Sequence, residues 1–117
     1  MPAPTPPSPV VVALPDWVDA VVDRERRYAS DVEKMRLAVM LSRENVLRGT
    51  GGPFGAAIFE RDTGRLVEVG VNSVLRLHNC TLHGEMVAFM LAQARLRSFS
   101  LAAPGMPPHE LVTSCEP

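Results

Sequence analysis

Aromatic side chains are scarce, at 5% of 117 residues with one Trp, one Tyr and four Phe. Such a chain advertises no base-stacking surface. Positive charge is not in excess either, since Lys and Arg number 12 against 13 Asp and Glu, for a net charge of −1. A large nucleic-acid footprint normally needs a basic face, so a nucleic-acid partner is not expected. Only two cysteines occur, Cys80 and Cys115. A disulfide between them needs Cα atoms within about 7 Å, which spacing does not establish, and reduced thiols in a cytosolic protein are the plainer reading. Long apolar runs are missing as well. Met1 to Pro9 lacks Lys and Arg, and Val10 to Leu14 is only five residues long. That stretch is too short for a signal sequence or a membrane span, and a cytoplasmic protein is expected. What remains is ordinary for one globular domain: 46% apolar and 21% charged residues.

The chain divides at residue 15. Pro2, Pro4, Pro6, Pro7 and Pro9 lack amide donors and fix φ, so residues 1–15 read as a Pro-rich disordered or extended tail, or else as a polyproline segment for a partner. From Asp16 to Tyr28 a short helix is predicted, capped by Asp16 and striped with Trp17, Val18, Val21 and Val22. Ser30-Asp31-Val32-Glu33 is a capping box. The helix that it opens carries an unbroken apolar run from Leu37 to Leu41, which predicts burial around much of its circumference, and ends at Arg48-Gly49. After the loop Thr50-Gly51-Gly52-Pro53 come two strands, Phe54–Glu60 and Leu66–Asn72, joined by a hairpin turn in which Gly64 can take positive φ. A loop over 73–81 leads to a helix over Leu82–Arg97. That helix is apolar almost all round, as expected where both faces are covered. A breaker-rich connection, Ala102 to Pro108, precedes a third strand over Glu110–Ser114. The order α-α-β-β-α-β, without internal repeat, predicts helices layered on a sheet.

The chemistry gathers at Thr81-Leu82-His83-Gly84-Glu85-Met86, where a loop runs into the apolar helix. Read singly, its residues are ordinary. His83 suits a surface or capping position, and Glu85 suits any first helical turn through the macrodipole. Asn72 fits a turn residue closing a strand, and Phe54 a core aromatic. Read together they are more specific. Gly51-Gly52-Pro53-Phe54-Gly55-Ala56, Gly70-Val71-Asn72, His83-Gly84-Glu85-Met86 and Thr113-Ser114-Cys115-Glu116-Pro117 follow in order, each on the element its role requires. An H-x-E at a helix entrance joins a metal-ligating imidazole to a proton-carrying carboxylate, and in zinc deaminases it is followed by P-C-x-x-C.

Over residues 30–117 the sequence resembles the N-terminal part of the zinc-dependent cytidine/deoxycytidylate deaminase superfamily, in the branch of guanine deaminases and tRNA adenosine deaminases. The resemblance implies a three-layer α-β-α cytidine deaminase-like fold, incomplete at the C-terminus, with residues 16–117 forming the first part of the domain. It makes His83 a Zn2+ ligand and Glu85 the catalytic residue, taking a proton from zinc-bound water and delivering protons to the ring nitrogen and the leaving ammonia. Asn72 becomes the residue that hydrogen-bonds the base, its amide offering both a donor and an acceptor. Phe54 lies beside the substrate pocket. The implied partner is a small-molecule purine base or nucleoside, guanine foremost because of the Thr-Ser-Cys-Glu-Pro and Gly-Gly-Pro-Phe-Gly stretches, with tRNA adenosine or a cytosine compound as the alternative substrate. A homo-oligomer is implied for the complete protein. Gly84 departs from the family's usual alanine, at a cost of up to about 1 kcal/mol in helix propensity.

The same pattern places both ligand cysteines immediately after Glu116-Pro117, so Cys115 is not one of them. A zinc site needs three protein ligands and a water. The reading from sequence is therefore of a deaminase stretch impaired as written, with a non-catalytic, partner-binding remnant as the alternative. A makeshift site from Cys80, His83 and Cys115 also stays open.

Overall fold

The computed structural model describes residues 5–115. Pro2 and Pro4 of the tail, and Glu116-Pro117 of the final motif, lie outside the described residues. In chain order the elements are α1 (Val18–Val21), α2 (Asp31–Leu47), β1 (Gly55–Glu60), β2 (Leu66–Val71), α3 (Gly84–Leu96) and β3 (His109–Thr113). Residues 5–15 contribute no helix or strand. Leu14 nevertheless packs against the core, and Arg76 donates to the Ala13 carbonyl at 2.6 Å.

The helix expected over 16–28 shrinks to the single turn of α1, with Trp17 rather than Asp16 at its N-cap and Val22 already extended. Two adjacent β-branched residues, Val21 and Val22, favour that exit, and tertiary partners fix it. Arg24 bonds Asp19 and Glu68. Tyr28 donates its amide to Gly64 at 2.9 Å and meets the Phe59 ring edge-on, with centroids 5.2 Å apart. Helix α2 starts where the capping box predicts. The Ser30 hydroxyl accepts from the Glu33 amide at 3.2 Å, and the Glu33 carboxylate reaches back to the Ala29 amide at 2.6 Å. Lys34, Leu37, Ala38, Leu41 and Asn45 form its buried stripe. The burial is narrower than the much-buried circumference that the apolar run predicts: Val32, Met35, Val39, Val46 and Leu47 are exposed. Successive residues step 100° around a helix, so an unbroken apolar run must turn part of itself away from a single sheet.

The sheet has the order β2-β1-β3, with both pairings antiparallel. Its register slips between Ile58 and Phe59, where Leu66 faces Phe59 and Glu68 faces Ile58. Val67 is the extra residue of a bulge. On one face Ala57, Phe59, Leu66, Val69 and Val71 pack with Leu37 and Leu41 of α2. On the other, Ala56, Ile58 and Val67 pack with Ala88 and Ala92 of α3. This is the three-layer α-β-α arrangement. Glycine sets how closely the layers approach: a Cβ at Gly55 would lie 2.6 Å from the Ala38 carbonyl oxygen of α2, and Gly70 does the same for α3.

Helix α3 begins at Gly84, two residues later than expected, because fully buried Leu82 anchors the preceding loop and His83 takes extended dihedrals at the N-cap. Arg97 closes it in the left-handed region, φ 51°. Its cover is partial rather than complete, with Met86 exposed and Met90 and Leu91 half-buried.

Candidate active site

Three strand ends and one helix start meet at the same edge of the sheet. The Asn72 amide, just past β2, donates to the Phe54 carbonyl, just before β1, at 3.0 Å. Ser114, just past β3, donates its amide to Gly55 at 2.9 Å, and its hydroxyl accepts from the Gly55 amide at 3.0 Å. The start of α3 faces this seam. Between them lies a cavity of about 300 Å³ lined by Phe54, Asn72, His83, Glu85, Ser114 and Cys115, among others. The structure thus brings together all four residues singled out in the sequence. Phe54 is exposed at 40% and stands at the rim rather than in the core.

His83 and Glu85 occupy the N-cap and first turn of α3. The His83 side chain is 59% exposed and makes no capping hydrogen bond, so its ring nitrogens are open to the cavity. The Glu85 carboxylate is 14% exposed, with Oε1 3.6 Å from His83 Nδ1, which is beyond a direct hydrogen bond. The Asn72 side-chain carboxamide has no protein partner among the described residues, so its donor and acceptor are unspent where the residue lines the cavity. At Gly84 an added Cβ would lie 3.0 Å from the Phe54 carbonyl oxygen. Glycine there lets the helix start sit against the Phe54–Asn72 rung, so the departure from alanine leaves the seam intact.

One residue that the motifs do not reveal is Asn45, at the end of the α2 stripe. It is fully buried, and its Nδ2 donates to the Gly52 and Asn72 carbonyls at 2.9 and 3.0 Å. The signal available in the sequence was spacing, because Leu37, Leu41 and Asn45 recur at every fourth position of one helix face.

No family model matches the chain. It is 36% identical over 83 residues to the guanine deaminase of Bacillus subtilis (strain 168), a match covering 71% of this chain and 49% of that protein. The solved structure of NE0047 in complex with 2,6-diaminopurine aligns at 38% identity with a TM-score of 0.87, over 93% of this chain and 57% of that one. The guanine deaminase from Nitrosomonas europaea aligns at 38% identity with a TM-score of 0.86, over 93% and 59%. Over the matched residues the chain is similar to guanine deaminases of the cytidine deaminase-like superfamily.

This guanine-deaminase-like chain spans about half the length of the curated relative it matches. The zinc that the superfamily uses needs three protein ligands. No group of three or more His, Cys, Asp or Glu side chains among the described residues is placed to hold a metal ion. His83 fits as one ligand, and the described residues by themselves do not make a zinc centre. The set Cys80, His83 and Cys115 is not gathered: Cys115 lines the cavity, whereas Cys80 does not.

Proposed function

We propose that this chain carries the purine-facing and proton-carrying part of a deaminase that hydrolyses guanine to xanthine and ammonia. The observation that carries the reading is the convergence of Phe54, Asn72, His83 and Glu85 on one cavity of about 300 Å³, at the small end of the usual range for ligand sites. Asn72 presents its unspent amide to an edge of the purine, and Phe54 flanks the ring at the rim. Glu85 takes a proton from the attacking water and passes it to a ring nitrogen, then takes the second proton from the hydroxyl formed at the attacked carbon and delivers it to the amine as it leaves. General acid–base catalysis of this kind contributes about 10²–10⁴-fold. His83 is assigned as one zinc ligand, and the remaining ligands are assigned to protein outside the described residues. The guanine deaminase activity of the relatives, and the 2,6-diaminopurine bound to one similar structure, support a free purine over a nucleic acid. Two exposed free thiols, Cys80 and Cys115, fit a reducing cytoplasm.

The test is ammonia release from guanine by protein in which this stretch is joined to a segment beginning C-x-x-C and supplied with zinc. Glu85→Gln should lower kcat by about 10²–10⁴-fold while the zinc content stays the same. Undiminished turnover in that variant, or faster release from cytosine or tRNA adenosine, would sink the proposal. For the 117 residues taken alone, a single cavity-facing imidazole favours a second reading, purine binding without turnover. It predicts that affinity is indifferent to zinc removal.

A further inference from the structure

Asn45 has no wall in the cavity, yet it is bonded to both chains that carry the purine-facing side chains. Its two Nδ2 hydrogens are spent on the Gly52 carbonyl at 2.9 Å and the Asn72 carbonyl at 3.0 Å. Its Oδ1 accepts from the Thr50 hydroxyl at 2.7 Å, and that hydroxyl accepts in turn from the Trp17 indole at 2.9 Å. The Asn45 carbonyl also takes the amides of Thr50 and Gly51 at 3.0 and 3.3 Å. Gly52 is wedged between the two purine-facing residues: a Cβ there would lie 3.3 Å from the Phe54 ring and 3.8 Å from Asn72 Cγ.

Few side chains meet these demands. The site needs two donors towards two carbonyls and one acceptor towards a hydroxyl, on a side chain that is itself fully buried. Aspartate would set oxygen against oxygen. Alanine would leave both carbonyls and the hydroxyl without this partner. By contrast the side-chain carboxamide of Asn72, on the residue whose carbonyl Asn45 holds, is unspent. The chain thus holds one asparagine fully committed so that another can stay available.

We propose that Asn45 is a positioning residue, fixing the Gly52–Phe54 loop and Asn72 at the separation that a purine needs, with Thr50 and Trp17 holding Asn45 itself in orientation. The inference rests on the functional reading above, and its test separates the two. The variants are Asn45→Asp, Thr50→Val and Thr50→Ser, the last of which keeps the hydroxyl. The first readout is amide hydrogen exchange at Phe54 and Asn72, whose amides bond Gly52 and Phe54 at 2.8 and 3.0 Å, with Val87 in α3 as the reference. Exchange at Phe54 and Asn72 should quicken in Asn45→Asp and Thr50→Val, while Val87 stays protected and Thr50→Ser follows the parent.

The second readout is the Kd for 2,6-diaminopurine, together with KM and kcat for guanine in the zinc-loaded, extended protein. Kd and KM should rise by about tenfold or more with kcat nearly held, as when binding shared by ground and transition states is lost. Unchanged exchange at the two amides would overturn the proposal. So would exchange rising equally at Val87, or kcat falling at constant KM. A parent protein that binds no purine would defeat the functional reading, and the exchange readout would still decide whether Asn45 positions the seam.

Discussion

A methyl group at position 70 would sit 2.1 Å from the Gly84 carbonyl oxygen and 2.5 Å from the Ala88 amide nitrogen. Backbone, not a flexible side chain, is what it would meet, so strand and helix must part. Gly70→Ala is therefore expected to cost about 1–3 kcal/mol by overpacking, lowering Tm by roughly 4 °C or more. Because α3 carries His83 and Glu85 while β2 leads into Asn72, purine affinity should fall with it. A melt and a binding titration on one preparation check both, and an unchanged Tm would contradict the close approach. At this scale the motif residues were legible in the sequence because each belongs to a short pattern with a chemical reason. Asn45 and Lys34 were not. A polar residue on a helix reads as solvent-facing unless its spacing is weighed, and Lys34 and Asn45 in fact bracket the buried stripe of Leu37 and Leu41.

Among the elements, α2 depends most on its first turn. Hydrogen bonding from the Ala29 amide, with help from Arg26, holds the Glu33 carboxyl below the ordinary carboxylate range. A depressed acid contributes stability that is complete above its unfolded value, about 4.3 for Glu, and is lost as pH falls through the folded value. Melts of the parent and Glu33→Gln should thus differ above about pH 5 and converge in more acidic solution. A constant gap would rule out the carboxylate as the cap. The other end-to-end tie is between elements. Buried Lys34 of α2 donates to Glu110 of β3 and to the Arg61 carbonyl of the hairpin. The two side chains are unequally exposed, 6% for Lys34 and 27% for Glu110, so the losses should be unequal. Glu110→Gln strands a buried ammonium and should cost the more, up to about 3–5 kcal/mol. Lys34→Met leaves a carboxylate that water can reach and should cost about 1–3 kcal/mol. Denaturant titrations of both variants decide the order. Elements were read well where a local signal was strong, as with the capping box and the hairpin glycine, which does take positive φ, 71°. Helix α1 was overcalled because Arg24 and Tyr28 are claimed by Glu68 and Gly64, partners that no local pattern contains.

At the scale of the whole fold, the described residues bring one imidazole to the cavity where a zinc centre asks for three protein ligands. After exhaustive dialysis, the 117-residue protein is expected to retain well under one zinc per chain by elemental analysis. Joining a segment that begins C-x-x-C should raise the content to one. Stoichiometric zinc in the 117 residues alone would show that they gather further ligands, for instance across two chains. The arrangement also has a consequence in time. Gly55 and Ser114 clasp across 59 residues of sequence, so on the ribosome the hairpin, both long helices and Phe54, Asn72, His83 and Glu85 are translated before the strand that closes the cavity. Pairing over so long a span is slow compared with local turns and hairpins. The nascent chain therefore passes through an interval in which β1 is zipped on one side and open on the other. Any neighbouring strand can compete for that open side, and correct closure becomes a race between elongation and mispairing.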